Sequence, residues 1–197
     1  MTDWTSLNYV VVDVEGNGQQ PPDLVELAAV PVVAGVIGEP TSWLVRPETP
    51  ITPFARRIHG ITNEQVAEAP LFADIRDDVL SAVDAAALVG HNAHVDIAVL
   101  ERKLGDWQRP EVFDTLKLAR RLLPDADGYK LGALVKAFKL ADGLPEDLRP
   151  HRATYDVLVT ARLFVRLATL PDTRPLSLEE LRGQSPGGGG DEAPALF

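Results

Sequence analysis

Residues 8–18 read NYVVVDVEGNG. The run from Tyr9 to Val12 is aromatic and β-branched and carries no charge, which is the composition of a strand covered on both faces; the glycine-rich turn EGNG ends it. Two carboxylates, Asp13 and Glu15, leave that strand at its exit. Side chains two apart on a strand share a face, so the pair projects together while Val14 points away. Acids at a strand end are often merely solvated. A pair leaving an apolar strand on one face, directly before a tight turn, needs a cation beside it.

Outward from this strand, LVELAAVPVV (24–33) and SWLVRP (42–47) are further strand-like runs on either side of a turn region AGVIGEP, and the short connections favour antiparallel pairing. Beyond Pro53 the periodicity becomes helical. Thr62 with Gln65 makes a capping box, and FADIRDDVLSAV (72–83) repeats apolar residues at Phe72, Ile75, Val79 and Val83. The strand AALVGHN (86–92) leads into a helix VDIAVLERKL closed by Gly105, and EVFD (111–114) precedes a helical TLKLARRLL. Residues 152–170 set Ala153, Val157, Ala161, Phe164 and Ala168 on one stripe, a face to lie against a sheet. Three strands in a meander, then helix-linked parallel strands, predict an α/β fold: a mixed β-sheet flanked by helices.

At 197 residues the chain fits one domain, expected over 1–170, with a C-terminal tail over 171–197. Within the tail PLSLEELRG holds one short helix, and QSPGGGGDEAP reads as a flexible linker before Ala195, Leu196 and Phe197. A mean hydropathy of −0.02, strand-length apolar runs and an N-terminus without a secretion signal point to a cytoplasmic protein with no membrane association. Cysteine is absent, which removes disulfides, thiolate zinc sites and cysteine nucleophiles. The net charge of −10 argues against a protein that wraps long nucleic acid. It leaves room for a short site where divalent ions and local cations such as Arg56, Arg57, Lys130, Arg149 and Arg152 offset the acidity.

Two further segments carry the same chemistry. Both hold His-x₄-Asp: His91 with Asp96 in VGHNAHVD, and His151 with Asp156 in HRATYD. Five residues of uninterrupted helix turn through roughly 140° and would aim the two side chains apart. Pro150 relieves this if His151 lies in the loop before the helix. Four carboxylates, Asp13, Glu15, Asp96 and Asp156, with a nearby imidazole, form an oxygen-rich set suited to a pair of hard divalent cations such as Mg²⁺. By residue type and spacing alone, His91 and His151 are equal candidates for the base. His59 in HGIT reads as a residue fixing the turn into a helix, and His94 as exposed.

These segments, together with IHGITNEQVAEAP (58–70), FDTLKLARRLLP (113–124) and YKLGALVKAF (129–138), resemble the DEDDh family of 3′→5′ exonucleases in order and spacing over roughly residues 7 to 170. The resemblance implies a ribonuclease-H-like fold and two Mg²⁺ or Mn²⁺ ions held by Asp13, Glu15, Asp96 and Asp156. It makes His151 the general base and His91 a supporting group behind the ligands. Gly16 and Asn17 in the turn after the Asp13–Glu15 motif, His59 and Ile61 in HGIT, and Asn92 become candidate contacts to the substrate, with Ile61 as an apolar wedge against the last base. Where the family often has threonine after the glutamate this chain has Gly16 and Asn17, and where it usually has an aromatic before the third acid it has Val95. The implied substrate is the 3′ end of single-stranded or frayed DNA, with an exoribonuclease or oligoribonuclease as the alternative. A catalytically silent protein-binding module is a third reading, weakened by retention of all five site positions. The terminal Ala-Leu-Phe loosely resembles a sliding-clamp-binding peptide, which makes a clamp or polymerase a candidate partner for the tail.

Overall fold

The computed structural model describes residues 2–170 and 174–184. Strand β1 (Tyr9–Gly16) is the centre of a six-stranded sheet. It pairs antiparallel with β2 (Leu24–Val33), whose other edge carries β3 (Val36–Ile37) and β4 (Thr41–Leu44), both antiparallel. On its other side β1 runs parallel to β5 (Ala87–Gly90), which runs parallel to β6 (Glu111–Asp114). The sheet is therefore mixed, with the antiparallel meander and the parallel strands meeting at β1. The strand anticipated over 42–47 stops at Leu44, and the preceding turn region contains the short β3.

Alternation along β1 explains its burial on both faces. Tyr9 and Val11 face the larger core, built on α7 (Ala153–Ala168), while Val10 and Val12 face a second core with α3 (Phe72–Ala82) and α4 (His94–Leu104). The five stripe residues of α7, from Ala153 to Ala168, are fully buried. Asp13 and Glu15 extend the alternation of Tyr9 and Val11, so the fold aims them at the face that α7 covers. A smaller core of Val25, Ile51, Ala55, Ile61 and Val66 seats α1 (Pro53–His59) and α2 (Asn63–Val66) beside the end of β1. The Thr62–Gln65 capping box is present at the start of α2. Helix α5 (Thr115–Leu122) packs against β6 and α7, and α6 (Leu131–Phe138) packs against α7.

The folded unit does not stop at 170. Helix α8 (Leu178–Arg182) buries Leu178 and Leu181, and Leu176 joins them in the larger core with Trp4. Asp3 forms a β-bridge with Ser177, so the two ends of the unit are tied together. The apolar residues of PLSLEEL, within the span read as tail, bury against the core. The Gly-rich stretch and Ala195-Leu196-Phe197 lie outside the described residues. Among the described residues, no helix is long and apolar enough to cross a membrane.

Candidate active site

Three elements deliver the acids. The end of β1 brings Asp13 and Glu15, and the first turn of α7 brings Asp156; one carboxylate oxygen from each lies within 4.8 Å of the others. Asp96, in the first turn of α4, reaches the same place from the opposite face of the sheet. One of its oxygens accepts the Val14 N–H at 2.9 Å, so Asp96 also ties α4 to β1. It sits outside the tight trio but is the strongest single charge acting on Asp13.

The electrostatics are those of a site built for cations. Burial, followed by the charge of Asp156, pushes the Glu15 carboxyl up to about 8. Burial raises Asp96 to about 7, against the opposing hydrogen bond from Val14, and raises Asp156 to about 6. Asp13 is driven well above the usual carboxylate range by burial and by Asp96, Asp156, Glu15 and Glu26 together. Like charges held this close are unfavourable in a low-dielectric site unless a cation offsets them. Converging oxygen donors of this kind fit hard divalent metal ions.

The two histidines of the repeated spacing have different surroundings. His91 is half-buried with both ring nitrogens engaged: Nε2 donates to the Tyr129 carbonyl at 3.0 Å, and Nδ1 is 2.9 Å from the Thr115 hydroxyl. Burial lowers its pKa, favouring a neutral ring whose only N–H is already committed. His151 lies in the loop before α7 with φ 60°, its side chain exposed, and among the described residues its ring makes no hydrogen bond. The His151 backbone N–H donates to Asp156 Oδ2 at 2.9 Å, coupling the loop to the carboxylate. His151 and Asp156 line one cleft with Asp13, His91 and Asn92.

Several anticipated substrate contacts turn out to be parts of the scaffold. Asn17 is fully buried: its Oδ1 accepts from Gln19 and Asp23 N–H groups, and its Nδ2 donates to Thr49. With both ends of the amide spent on the turn, no group is left for a nucleotide. Ile61 is only 2% exposed and packs in the small core, so it is not a surface wedge. His59 is likewise buried, with Nδ1 accepting the Ile61 N–H at 3.0 Å, as suits a residue that shapes the turn after α1. The exposed apolar residues of α1 are instead Phe54 and Ile58, one turn apart on one face at 63% and 43% exposure. Val95 is also exposed. Gly16 closes β1 at a bulge, and Asn92 takes a left-handed φ of 63° at the cleft. At neighbouring Gly90, an added Cβ would stand 2.9 Å from the Ala93 Cβ, so glycine permits the close approach of β5 to α4.

Sequence reasoning missed the groups that hold these side chains in place. Glu26, opposite Glu15 in the β1–β2 register, is buried and accepts from Arg152 Nε at 3.0 Å and Nη2 at 2.6 Å. It also accepts the Ala153 N–H at 3.0 Å, fixing the first turn of α7 to β2. Asp114 caps α5 through the Leu116 N–H and accepts the Asn92 N–H, both at 2.9 Å, while Thr115 binds the Gly90 carbonyl. The glutamate inside the apolar run LVELAAV was the available signal for Glu26, since a charge in a buried strand needs a partner.

The chain matches known proteins over these same elements. An exonuclease family model, of the RNase T type, matches residues 10–164. Exodeoxyribonuclease 10 of Escherichia coli strain K12 is 40% identical over 155 residues, which are 79% of this chain and 66% of that protein. The chain therefore spans just under two thirds of that relative's length. DNA polymerase III subunit epsilon of Rickettsia felis is 34% identical over 83% of this chain and 75% of its own. Among solved structures, exonuclease X in complex with 5′-overhanging duplex DNA has a TM-score of 0.69 at 38% identity, covering 81% of this chain and 90% of that one. The E. coli ExoI–ssDNA complex, at 20% identity, has a TM-score of 0.70, covers 88% of this chain and 42% of that one, and shows the shared ribonuclease-H-like fold alone. Because the family match begins in β1 and runs into α7, it takes in Asp13, Glu15, Asp96 and Asp156, and this chain belongs to the exonuclease family.

Proposed function

We propose that the enzyme removes nucleotides singly from the 3′ ends of single-stranded or frayed DNA and releases nucleoside 5′-monophosphates, as a cytoplasmic repair or proofreading nuclease. The observation that carries this reading is the convergence of Asp13, Glu15 and Asp156 within 4.8 Å, with their carboxyl groups pushed toward neutrality in the absence of a cation. These three residues and Asp96 would hold two Mg²⁺ or Mn²⁺ ions. When bound, the ions supply positive charge for the scissile phosphate, an activated water and a stabilised leaving 3′-oxygen. His151, free at the mouth of the cleft, takes the proton from the attacking water, and its loop is steadied by the bond to Asp156. Asp96 holds α4 against β1 through Val14, which keeps the acids in register. Gly16 offers backbone groups to the terminal sugar, and Ile58 replaces Ile61 as the apolar contact to the last base.

The choice of DNA is supported by the relatives of higher identity, an exodeoxyribonuclease and an exonuclease seen with DNA. The neighbour described with a histone mRNA stem-loop is 19% identical and speaks to fold only. The deciding experiment degrades matched 5′-labelled DNA and RNA strands with Mg²⁺ or Mn²⁺, comparing wild type with Asp13→Ala and His151→Ala. Stepwise shortening of DNA, faster than RNA, abolished by EDTA and by Asp13→Ala and slowed at least about a hundredfold by His151→Ala, is the expected result. Faster RNA shortening reverses the sugar assignment, and no shortening of either strand removes the nuclease reading.

A further inference from the structure

The cleft that holds Asp13, Asp156 and His151 continues well past them, with a volume of about 760 Å³. The same cleft is lined by Arg120 from α5, Lys130 at the N-terminal cap of α6 and Lys136 within α6. All three are exposed, and among the described residues none of their side chains makes an ion pair or a hydrogen bond. These three cations share one cleft with the acids in a chain of net charge −10. The Arg120 guanidinium lies over the Tyr129 ring, 6.0 Å from its centroid, and the Tyr129 hydroxyl is anchored by donating to the Leu123 carbonyl at 2.7 Å.

We propose that Arg120, Lys130 and Lys136 form a phosphate-binding track for the strand upstream of the scissile bond. The terminal nucleotide brings only the phosphate that is attacked, whereas the strand behind it brings one phosphate per residue. A wall of unpaired cations therefore fits the upstream side, and the apolar face of α1 fits the terminal base. The track lets an acidic protein hold a polyanion through a local field that its net charge conceals. This inference rests on the exonuclease reading and adds where the rest of the strand lies.

The test compares wild type, the triple variant Arg120→Gln/Lys130→Gln/Lys136→Gln, and a charge-matched control, Arg46→Gln/Arg109→Gln/Lys139→Gln, whose residues do not line the cleft. Three substrates are used: the p-nitrophenyl ester of thymidine 5′-monophosphate, which has no upstream phosphate, and thymidine oligonucleotides of two and eight residues. The track predicts a loss that grows with length. KM for the octamer rises tenfold or more in the cleft triple, while the ester is affected far less and the control triple stays near wild type. In parallel, fluorescence anisotropy of labelled octamer with Ca²⁺ in place of Mg²⁺ reads binding without turnover. The slope of log affinity against log salt should shrink by roughly 2, at about 0.7 per phosphate contact on a single strand. Octamer binding and KM unchanged in the cleft triple, or equal losses on ester and octamer, would overturn the track. Wild type inert on all three substrates would overturn the exonuclease reading itself, with the anisotropy still deciding whether the wall binds the strand.

Discussion

At Asp13, burial and the charges of Asp96, Asp156, Glu15 and Glu26 all push the carboxyl in one direction, toward its neutral form. Asp13→Asn removes one of these repelling charges and one proposed metal ligand together. The expected outcome is a metal-free protein that melts at higher temperature than wild type at pH 8, yet gains no stability from Mn²⁺ and has no detectable nuclease activity. Differential scanning calorimetry with and without Mn²⁺ checks both halves. For His151→Ala the loss is expected in turnover, about 10²- to 10⁴-fold, with metal-induced stabilisation retained, because the imidazole is proposed to move a proton and is not among the proposed acidic ligands. A pH dependence follows from the same groups. Glu15, Asp96 and Asp156 are raised to about 8, 7 and 6 from ordinary values of 4.5, 3.8 and 3.8. Between those limits the folded protein binds more protons than the unfolded chain, so the stability of the metal-free form falls as pH rises from about 4 through 8. Metal ions need the deprotonated acids, so the gain in melting temperature on adding Mn²⁺ should be larger at pH 8 than at pH 5. Thermal melts in EDTA that rise from pH 5 to 8 would contradict this account.

Between elements, the contact that matters most for the site is the clamp of Glu26 on Arg152 and the Ala153 N–H, which joins β2 to the start of α7. Glu26 is nearly fully buried and Arg152 about one third exposed, so removing the acid strands a cation that water can partly reach. Glu26→Ala should cost about 2 kcal/mol, below the 3 to 5 typical of a fully buried pair, and urea denaturation measures it. Turnover should drop as well, since Asp156 and His151 ride on the element that the clamp holds. Helix α1 separates two roles that three residues of sequence had merged. Ile61→Ala empties a buried position and should cost about 2 to 4 kcal/mol with KM little changed. Ile58→Ala alters an exposed face and should raise KM for oligonucleotides with little effect on stability. Parallel denaturation and kinetic measurements on the two variants distinguish them, and the reverse pattern would restore Ile61 as the wedge.

Over the whole molecule, the described fold closes on itself through α8, with Leu176, Leu178 and Leu181 packed into the core that also holds Trp4. Truncation after residue 170 should therefore lower the melting temperature by several degrees or more, as circular dichroism would show, instead of releasing a linker without consequence. Much of this architecture was legible in the chain, because the determinants are local. The uncharged run before Asp13 specified a doubly covered strand, period-2 alternation placed Asp13 and Glu15 on one face, and the stripe of residues 152–170 specified a helix against the sheet. Pro150 before His151 implied a loop histidine, and the structure has one. Other outcomes depend on residues far apart in the chain that spacing does not encode. Arg152 finds Glu26 at a separation of 126 residues, and His91 is silenced by Thr115 and the Tyr129 carbonyl, 24 and 38 residues on. Burial of Asn17 and Ile61, exposure of Ile58 and the gathering of three cations on one cleft wall likewise follow from packing. Sequence by itself determined which acids and imidazoles are candidates for the chemistry, since charge and periodicity are properties of the chain. Tertiary structure alone decided which of them face the cleft and which hold it up, since hydrogen-bond satisfaction and exclusion of water depend on what the fold brings alongside.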